Sequence, residues 1–363
     1  MRCYEHRVTR HFEPKPEWLK VRAPGGDTYQ SLKQTFRELD LATVCEEARC
    51  PNVGECWREG TATVMLLGDT CTRGCRFCAV TTGDPRGMVD SREPEHTARA
   101  IARLNLQYVV MTMVNRDDLL DGGAEHVART VSTLRGLRPD ILVETLVGDF
   151  CGHLSSVDTV VDGGPDVFAH NIEVVKRLQR SIRDVRSSYE QSLAVLKRAK
   201  ERIEKDSSKK RLTKSSIMVG IGESNDEVLE AMADLRAAGV DVLTIGQYLR
   251  PSPKHAPVDR YVHPDVFERF ARAGDAMGFM YTASGPLVRS SYKAAEAFLR
   301  GVLGSRADEG ATPYGHVDAM LLDRLEVARR EAARVAEALG TPTSDGMAPR
   351  EKLLSPEALV RRG

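Results

Sequence analysis

The sequence lacks the marks of several common classes of protein. Lysine plus arginine and aspartate plus glutamate are equal at 52 each, so no basic excess indicates a nucleic-acid partner. No apolar run approaches the roughly 18–20 residues that a membrane span needs. The N-terminal stretch has no apolar core of a secretory signal, and its acidic residues argue against an intact transit peptide. We expect a cytoplasmic protein with no nucleic-acid or membrane partner, or a plastid or mitochondrial one if a longer precursor has been trimmed.

Cysteine, in contrast, is concentrated in one stretch of the chain. Six of the 8 cysteines lie between residues 45 and 78, and only Cys3 and Cys151 stand apart. The six form two groups: Cys45, Cys50 and Cys56 at the spacing C-x4-C-x5-C, then Cys71, Cys75 and Cys78 at C-x3-C-x2-C. In a secreted chain an even count would indicate disulfides. Without a signal peptide, clustered thiols favour metal ligands in a reducing compartment.

From Thr61 onward, short apolar runs alternate with segments of helical period. Continuous apolar strands between amphipathic helices indicate an α/β fold with parallel strands buried on both faces. The predicted strands are 61–68, 107–114, 141–147, 166–172, 215–222 and 241–249, and the predicted helices are 93–104, 125–137, 188–203, 225–238 and 264–277. Such units predict a partial or complete (β/α)6-type barrel. The second cysteine group follows the first strand, where barrels place their chemistry.

This pattern divides the chain into three parts. Residues 1–60 form an N-terminal extension that carries the first cysteine group, residues 61–300 form the barrel, and residues 301–363 form a C-terminal helical extension. The last part contains a linker and then apolar residues at helical spacing over 320–340. This amphipathic helix either packs against the body of the protein or binds a partner, and the pattern leaves both open.

The second cysteine group offers three thiolates and no fourth ligand close by. Thiolates suit iron–sulfur clusters, and Gly74 permits a sharp turn that lets the sulfurs meet one cluster. Three ligands leave one iron open, which is useful if that iron must bind a substrate. A structural zinc site is the alternative, but it needs a fourth Cys or His, and the next one after Cys78 is His96.

With Phe77 before its last cysteine, this spacing resembles the signature of the radical S-adenosylmethionine enzymes. The resemblance implies that Cys71, Cys75 and Cys78 are catalytic and hold a [4Fe–4S] cluster whose open iron binds S-adenosylmethionine. It also implies that glycines at strand ends contact this cofactor: Gly122 and Gly123 in "DGGAEH", and Gly220 and Gly222 in "VGIGES".

Polar residues after the fourth predicted strand are further candidates for cofactor binding. Asn171 and Glu173 in "HNIE", with Arg183 further along, would bind polar groups of the cofactor at the mouth of the barrel. The alternative is a cap at the start of a helix with a solvated salt bridge. The sequence leaves both interpretations open.

Longer segments narrow the resemblance to one family. The segments that carry it are "TVCEEARCPNVGECW", "GTATVMLLGDTCTRGCRFCAV", "NRDDLLDGGA", "HNIEVVKRLQ", "LTKSSIMVGIGES", "LTIGQYLRPSPKHAPVDRYVHP" and "SGPLVRSSYKA". In this order they resemble the lipoyl synthases over residues 15–300. Residues 301–363 extend beyond the family core and inherit nothing from it.

The resemblance implies a second, auxiliary [4Fe–4S] cluster on Cys45, Cys50 and Cys56. Its fourth ligand is a serine of "RSSY", which is Ser291 by position, or Ser290 if the register differs by one. An alkoxide oxygen is a harder and poorer ligand for iron than a thiolate, so such a cluster is easier to dismantle. The family uses this cluster as its sulfur source. On sequence alone, Ser291 would be interpreted as a loop or N-cap hydroxyl.

The implied reaction inserts two sulfur atoms at C6 and C8 of an octanoyl chain linked to a lysine. The implied partners are lipoyl-carrier domains, such as 2-oxoacid dehydrogenase acyltransferase subunits and the glycine-cleavage H-protein, and a reductant such as ferredoxin or flavodoxin. A biotin-synthase-like enzyme is the nearest rival, and an iron–sulfur electron carrier is the rival from another class. The upstream cysteine group and "VRSSY" argue against the first, and an open iron on a barrel argues against the second.

Overall fold

The computed structural model describes residues 14–20, 30, 33–34, 37–38, 43, 61–104, 106, 108–206 and 210–291. In this part of the chain, seven parallel strands form one sheet in which each strand pairs with the next one in sequence. The strands are β1 Thr61–Leu66, β2 Tyr108–Met113, β3 Leu142–Leu146, β4 Val167–Ala169, β5 Leu212–Val219, β6 Val242–Gln247 and β7 Tyr281–Gly285. The helices are α1 Glu93–Arg103, α2 Ala124–Leu137, α3 Leu154–Asp162, α4 Gln179–Ile182, α5 Tyr189–Glu204, α6 Asn225–Ala237 and α7 Pro264–Ala276, with 3-10 turns at Glu17–Leu19, Phe150–Gly152 and Lys176–Leu178.

The alternation of strands and helices gives a partial (β/α) barrel, and the predicted fold class is confirmed. Within the described ranges β1 and β7 do not pair with each other, so the sheet stays open. The sequence predicts six strands and misses β7. Its residues, "YTASG", mix small and polar side chains and lack the continuous apolar run that indicates a strand buried on both faces.

The predicted helices agree with the observed ones closely, because each carries a long periodic pattern. Their bounds differ by no more than one residue at either end. The sequence misses α3, whose 9 residues are fewer than a periodic window of about 11–18 residues requires. None of the helices in the described ranges combines the length and the apolar character that a membrane crossing requires. The predicted helix over 320–340 lies outside these ranges, so the three-part division of the chain stays a prediction.

Buried side chains fill the interior of the barrel at the N-terminal ends of its strands. On β2, Val109 and Met111 pack with the helices, whereas Tyr108 and Val110 face the inside, because successive residues of a strand point to opposite faces. The inner cluster consists of Tyr108, Val110, Leu142, Val167, Leu212 and Val242. All but Val110 are the first residues of their strands. This floor closes one end of the barrel, so the loops at the C-terminal ends of the strands surround the open end.

An ion pair lies inside the barrel near this floor. Lys214 Nζ on β5 donates to the two carboxylate oxygens of Glu144 on β3, at 2.9 and 2.8 Å. Tyr108 Oη also donates to Glu144, at 2.8 Å. The Lys214 and Glu144 side chains are only 3% and 1% exposed. Each charge therefore depends on the other, because a buried ion without a partner loses its hydration and gains nothing in return.

Replacing Lys214 tests how much the barrel depends on this pair. Lys214→Met should lower the free energy of unfolding by about 3–5 kcal/mol, since Glu144 stays buried without its cationic partner. Lys214→Met/Glu144→Leu should recover most of that loss. Anaerobic urea unfolding followed by circular dichroism measures both. The control is Arg202→Met, which removes a half-exposed pair with Asp162 and should cost about 0–1 kcal/mol. Equal losses for Lys214→Met and the control would contradict the prediction.

Candidate active site at the cysteine loop

The second cysteine group lies on the loop that follows β1, here called the cysteine loop (residues 71–78). Two-residue strands, Thr70–Cys71 and Thr81–Thr82, pair in parallel beside this loop. Near its start, Thr72 N–H donates to Asn115 O, just after β2, at 2.9 Å. The loop is thereby held at the C-terminal edge of the sheet, at the open end of the barrel.

Cys71, Cys75 and Cys78 are half-buried free thiols. Backbone groups point at two of the sulfurs: Arg73 N–H donates to Cys71 Sγ at 3.4 Å, and Asp184 N–H donates to Cys75 Sγ at 3.3 Å. Burial raises the pKa of Cys75 and raises the pKa of Cys78 to about 11, and the neighbouring thiols add to both shifts. Cys75 and Cys78 therefore keep their protons until a metal displaces them.

This donor set fits an iron–sulfur cluster better than a single ion. Among the described residues, no three His, Cys, Asp or Glu side chains converge closely enough to hold one metal ion. A [4Fe–4S] cluster takes one thiolate on each of three irons, so its ligands have to stay apart. The backbone N–H groups directed at Cys71 and Cys75 are the hydrogen bonds that tune such clusters.

Arg73, between the first two cysteines, anchors the loop from below. Its guanidinium donates to Asp117 Oδ2 at 2.9 Å, to Asp149 Oδ2 at 2.8 Å and to Ser187 Oγ at 3.0 Å. Burial works against the charge, but the two carboxylates hold the pKa of Arg73 above its usual value. Burial alone would raise the pKa values of Asp117 and Asp149, but Arg73 holds both below their usual range. All three groups are therefore charged at neutral pH.

The segment after α4 clamps the middle of the loop. Asp184 Oδ2 accepts from Gly74 N–H at 2.8 Å, and Ile182 O accepts from Arg76 N–H at 2.8 Å. Arg186 Nε donates to Asp184 Oδ1 at 2.8 Å, and the same guanidinium reaches a carbonyl of the loop. Arg186 holds the pKa of Asp184 well below its usual range. Asp184 therefore binds the loop as a carboxylate.

The connection between β6 and α7 holds the end of the loop. His255 Nε2 lies 2.9 Å from Cys78 O, and Ala256 N–H donates to Arg76 O at 2.8 Å. Because a carbonyl oxygen only accepts, His255 donates from Nε2. Tyr248 Oη donates to Ala256 O at 2.8 Å and fixes the connection in turn. The three cysteines are thus attached to three separate parts of the barrel rim.

The predicted polar residues after β4 come together near the cysteine loop. Asn171 Nδ2 donates to Glu173 Oε1 at 3.1 Å. Burial raises the pKa of Glu173, while Arg183 opposes this, and the charge of Glu173 also reaches Cys75. No helix begins at these residues, and Arg183 is buried. A helix-start cap with a solvated salt bridge therefore does not describe this arrangement, and a role in cofactor binding stays a prediction.

Arg183 has hydrogen-bonding capacity that the described residues leave unused. Its Nη1 donates to Ser192 Oγ at 2.8 Å and to Gln179 Oε1 at 3.2 Å, but within the described ranges its buried Nε has no partner. Ser192 Oγ lies 3.0 Å from Nε2 of His170, whose Nδ1 lies 2.9 Å from Val147 O. Burial lowers the pKa of His170 to about 4, so this ring is neutral and donates from Nδ1. Among the described residues the Arg183 Nε–H therefore remains an unused donor, and a cofactor contact there stays a prediction.

Of the four predicted cofactor-binding glycines, Gly220 and Gly222 follow the end of β5, whereas Gly122 and Gly123 directly precede α2; all four have conformations that other residues avoid. The φ values are 64° at Gly122, 89° at Gly123, 90° at Gly220 and 119° at Gly222. At Gly123 a Cβ would also stand 2.3 Å from Leu67 Cδ1. The N–H of Gly220 is already bound by Glu223 Oε1, at 2.7 Å. The turns are as expected, whereas cofactor contacts at all four positions stay a prediction.

Ser290 and Ser291 lie just after β7, at the same edge of the sheet as the cysteine loop. Both are half-buried. Arg289, before them, donates from Nη1 to Gln247 O, at the end of β6, at 3.1 Å. Cys45, Cys50 and Cys56 lie outside the described residues. Their pairing with Ser291, or with Ser290, stays a prediction.

The sequence analysis does not single out Asp117, Asp149 or Asp184. Asp117 stands inside "NRDDLLDGGA", so the resemblance points to its neighbourhood without giving it a role. Asp184 carries no local signal, because its partner Gly74 is 110 residues away in the chain. Only the folded chain brings these carboxylates to the loop.

Comparisons with known proteins point to one family. The radical SAM superfamily model matches residues 65–247, and the model of the N-terminal domain of lipoyl synthase matches residues 4–50. A lipoyl synthase of Sorangium cellulosum (strain So ce56) is 70% identical over 361 residues, covering 96% of this chain and 97% of its own. A lipoyl synthase of Thermus thermophilus is 55% identical over 285 residues, covering 78% and 87%. Among solved structures, the FeFe-hydrogenase maturase HydG from Carboxydothermus hydrogenoformans is 10% identical, covers 86% of this chain and 89% of its own, and has a TM-score of 0.48, too low to support an argument.

The Asp184 clamp generates a prediction about cluster retention. Asp184→Ala should weaken retention of iron by about 10–100-fold in a chelator challenge, because Gly74 N–H loses its acceptor. Asp184→Asn should lie between this variant and the wild type, since its amide oxygen can still accept. The control is Asp162→Ala, which removes an exposed carboxylate paired with Arg202 on α5. Iron retention by Asp184→Ala equal to that of the control would contradict the role of the clamp.

The family-model matches and the geometry of the cysteine loop indicate the same kind of enzyme. The superfamily model spans the sheet from β1 to the end of β6 and includes the whole cysteine loop. Members of this superfamily use a [4Fe–4S] cluster and S-adenosylmethionine, and the loop thiols fit such a cluster. The relation implied by the sequence motifs is confirmed. The chain belongs to the lipoyl synthase family of radical S-adenosylmethionine enzymes, which insert sulfur.

Proposed function

We propose that this enzyme inserts two sulfur atoms, at C6 and C8, into an octanoyl chain linked to Nζ of a lysine, and so forms a lipoyl group. The observation that carries the proposal is the cysteine loop at the open end of a barrel, in a chain 70% identical to a lipoyl synthase along nearly its full length. Methylene carbons offer no acidic proton and no leaving group. A radical that removes hydrogen is the chemistry that they require.

Cys71, Cys75 and Cys78 are the proposed ligands of the catalytic [4Fe–4S] cluster. These thiols would hold the cluster, and a bound cluster would supply the electron for release of a 5′-deoxyadenosyl radical from S-adenosylmethionine. The protein holds the loop through Arg73 and Asp184, which fixes the position of the thiolates relative to the barrel. Arg73 is buried and Asp184 half-buried, which limits the access of water to the rear of the site.

The cofactor-binding residues are proposed from their place around the loop. Asn171 and Glu173 offer polar groups near Cys75, and Arg183 Nε offers a buried donor with no partner among the described residues. Gly122 and Gly123 lie at the end of the turn that leads to α2, and Gly220 and Gly222 lie in the turn that leads to α6. The left-handed turns keep side chains away from the cofactor at these edges.

The second cluster is proposed to sit on Cys45, Cys50 and Cys56, with Ser291 as its fourth ligand. The N-terminal lipoyl synthase model covers the first two of these cysteines. An oxygen ligand holds iron less well than a thiolate, which suits a cluster that is consumed as the sulfur donor. Ser290 is the alternative ligand, one residue away.

The proposed partners follow from the substrate and from the need for electrons. The octanoyl lysine belongs to a lipoyl-carrier domain, such as a 2-oxoacid dehydrogenase acyltransferase subunit or the glycine-cleavage H-protein. A low-potential protein such as ferredoxin or flavodoxin supplies electrons to the catalytic cluster. A cytoplasmic location, with a plastid or mitochondrion as the alternative, completes the proposal.

Removing the first cysteine group tests whether one cluster cleaves S-adenosylmethionine while the other donates sulfur. The wild type, reconstituted anaerobically, should hold about eight irons per chain, and Cys45→Ala/Cys50→Ala/Cys56→Ala about four. Supplied with S-adenosylmethionine, a reductant and an octanoyl-lysyl peptide, the variant should still form 5′-deoxyadenosine but add no sulfur. Mass spectrometry of the peptide gives the answer. Sulfur addition by the variant would contradict the auxiliary-donor role. Unmodified peptide with the wild type, alongside 5′-deoxyadenosine, would indicate a radical enzyme with another substrate.

A pair of serine variants tests which oxygen binds the auxiliary cluster. Ser291→Ala should lose sulfur insertion while it still cleaves S-adenosylmethionine, because only the auxiliary cluster loses a ligand. Ser290→Ala, one position away and equally half-buried, is the matched control and should retain sulfur insertion. Ser291→Cys should retain the iron of both clusters, since a thiolate replaces the oxygen. The reverse result for the two alanine variants would move the ligand to Ser290.

A further inference from the structure

The cysteine loop has an outer face that the proposed chemistry does not use. Gly74, Arg76 and Ala79 are exposed, and the half-buried thiols of Cys75 and Cys78 lie just beneath them. The inner face is bonded to the barrel and borders the proposed cofactor site. Electron transfer slows steeply with distance. An electron therefore reaches the loop most directly from this outer side.

The charges beneath the loop cancel. Three guanidinium groups and three carboxylates form one continuous network, of which only Arg186 is exposed: Arg73, Arg183 and Arg186 with Asp117, Asp149 and Asp184. This network is neutral as a whole. Any net charge at the outer face must come from other side chains.

A group of cations surrounds the outer face, here called the basic rim: Arg76, Arg180, Arg250 and Lys254. Arg76 Nη1 donates to Ser181 O at 3.0 Å, which places Arg180 beside it. Arg250 Nε donates to His255 O at 2.9 Å, and His255 also contacts Cys78 O. Lys254 is exposed on the same connection. All four cations thus lie on the loop or on segments that hydrogen-bond to it.

The rim carries charge that the fold leaves uncompensated. Within the described part of the chain, none of its four side chains forms an ion pair, and the partners of Arg76 and Arg250 are neutral carbonyls. Exposed carboxylates flank the loop in the sequence, at Asp69 before it and Asp84 after it, whereas Arg180 and Lys254 lie on other segments. Val185, 88% exposed, adds an apolar contact beside the rim. The whole chain is neutral, so this local excess is a feature of the site.

We propose that the basic rim is the docking surface for an acidic one-electron carrier protein that reduces the catalytic cluster. The inference rests on the proposed function, which requires one electron for each S-adenosylmethionine that is cleaved. In this step the carrier loses one electron and the cluster gains it. Complementary charge steers two proteins into contact and raises the association rate, without demanding tight binding. Electron-transfer partners form small, short-lived interfaces of this kind.

Reversing two charges of the rim tests the proposal. Arg180→Glu/Lys254→Glu changes side chains that lie outside the cofactor site and make no ion pair among the described residues. Stopped-flow spectroscopy measures the second-order rate constant for cluster reduction by a chemically reduced acidic ferredoxin. We expect this constant to fall on the order of tenfold or more at low salt, and the difference to shrink as salt screens the charges. Photoreduced deazaflavin, a small reductant that needs no docking surface, should reduce both proteins at the same rate.

The control variant carries the same change in net charge elsewhere. Lys197→Glu/Arg269→Glu reverses two exposed cations on α5 and α7 and should leave the ferredoxin rate constant unchanged. Equal slowing of both double variants, no slowing of the rim variant, or slowing with deazaflavin as well would each overturn the proposal. A raised KM for an octanoylated carrier domain with an unchanged ferredoxin rate constant would overturn it too, since the rim would then bind the substrate protein. Cluster reduction is measured without octanoyl substrate, so failure of the proposed sulfur insertion would not change these outcomes.

Discussion

The geometry of the site depends on one buried guanidinium. Arg73 joins the cysteine loop to Asp117 after β2, to Asp149 after β3 and to Ser187 before α5. A charge taken out of water is stable only when it is paired and hydrogen-bonded, and two carboxylates satisfy this one. The loop itself has almost no regular structure. Its shape is therefore set by these long-range bonds, which connect it to three neighbouring parts of the barrel rim.

The long-range bonds hold one face of the loop against the barrel and leave the other face toward solvent. Toward the barrel, paired ions and the neutral His170 surround Arg183, whose Nε has no partner among the described residues. Toward solvent, Gly74 and Arg76 are exposed, and the thiols of the loop are half-buried. Asp184 serves both faces, because its carboxylate accepts from Gly74 while its own N–H donates to Cys75 Sγ. A reagent and an electron can thus approach one cluster from opposite sides.

The sequence predicts most of this architecture where its signals are local. Six strands and five helices follow from continuous apolar runs and from helical period, and the place of the loop follows from the motif after β1. The short helices α3 and α4 escape, because 9 and 4 residues are too few to show a period, and the strand β7 escapes because "YTASG" lacks a continuous apolar run. The carboxylates at 117, 149 and 184 escape for another reason. An ion pair between residues 110 positions apart leaves no pattern in either neighbourhood.

By itself, the sequence determined the chemistry that the chain can carry: two groups of three thiols, glycines at the turns, and a serine motif near the end of the barrel. These features depend on residue type and spacing, which can be seen in the sequence alone. Only the tertiary structure decided which charges are paired and which face solvent. Arg73 and Arg76 are both arginines of one loop, three residues apart, yet one is buried against two carboxylates and the other is exposed. The difference arises because folding brings distant segments beneath the loop and leaves its upper side open.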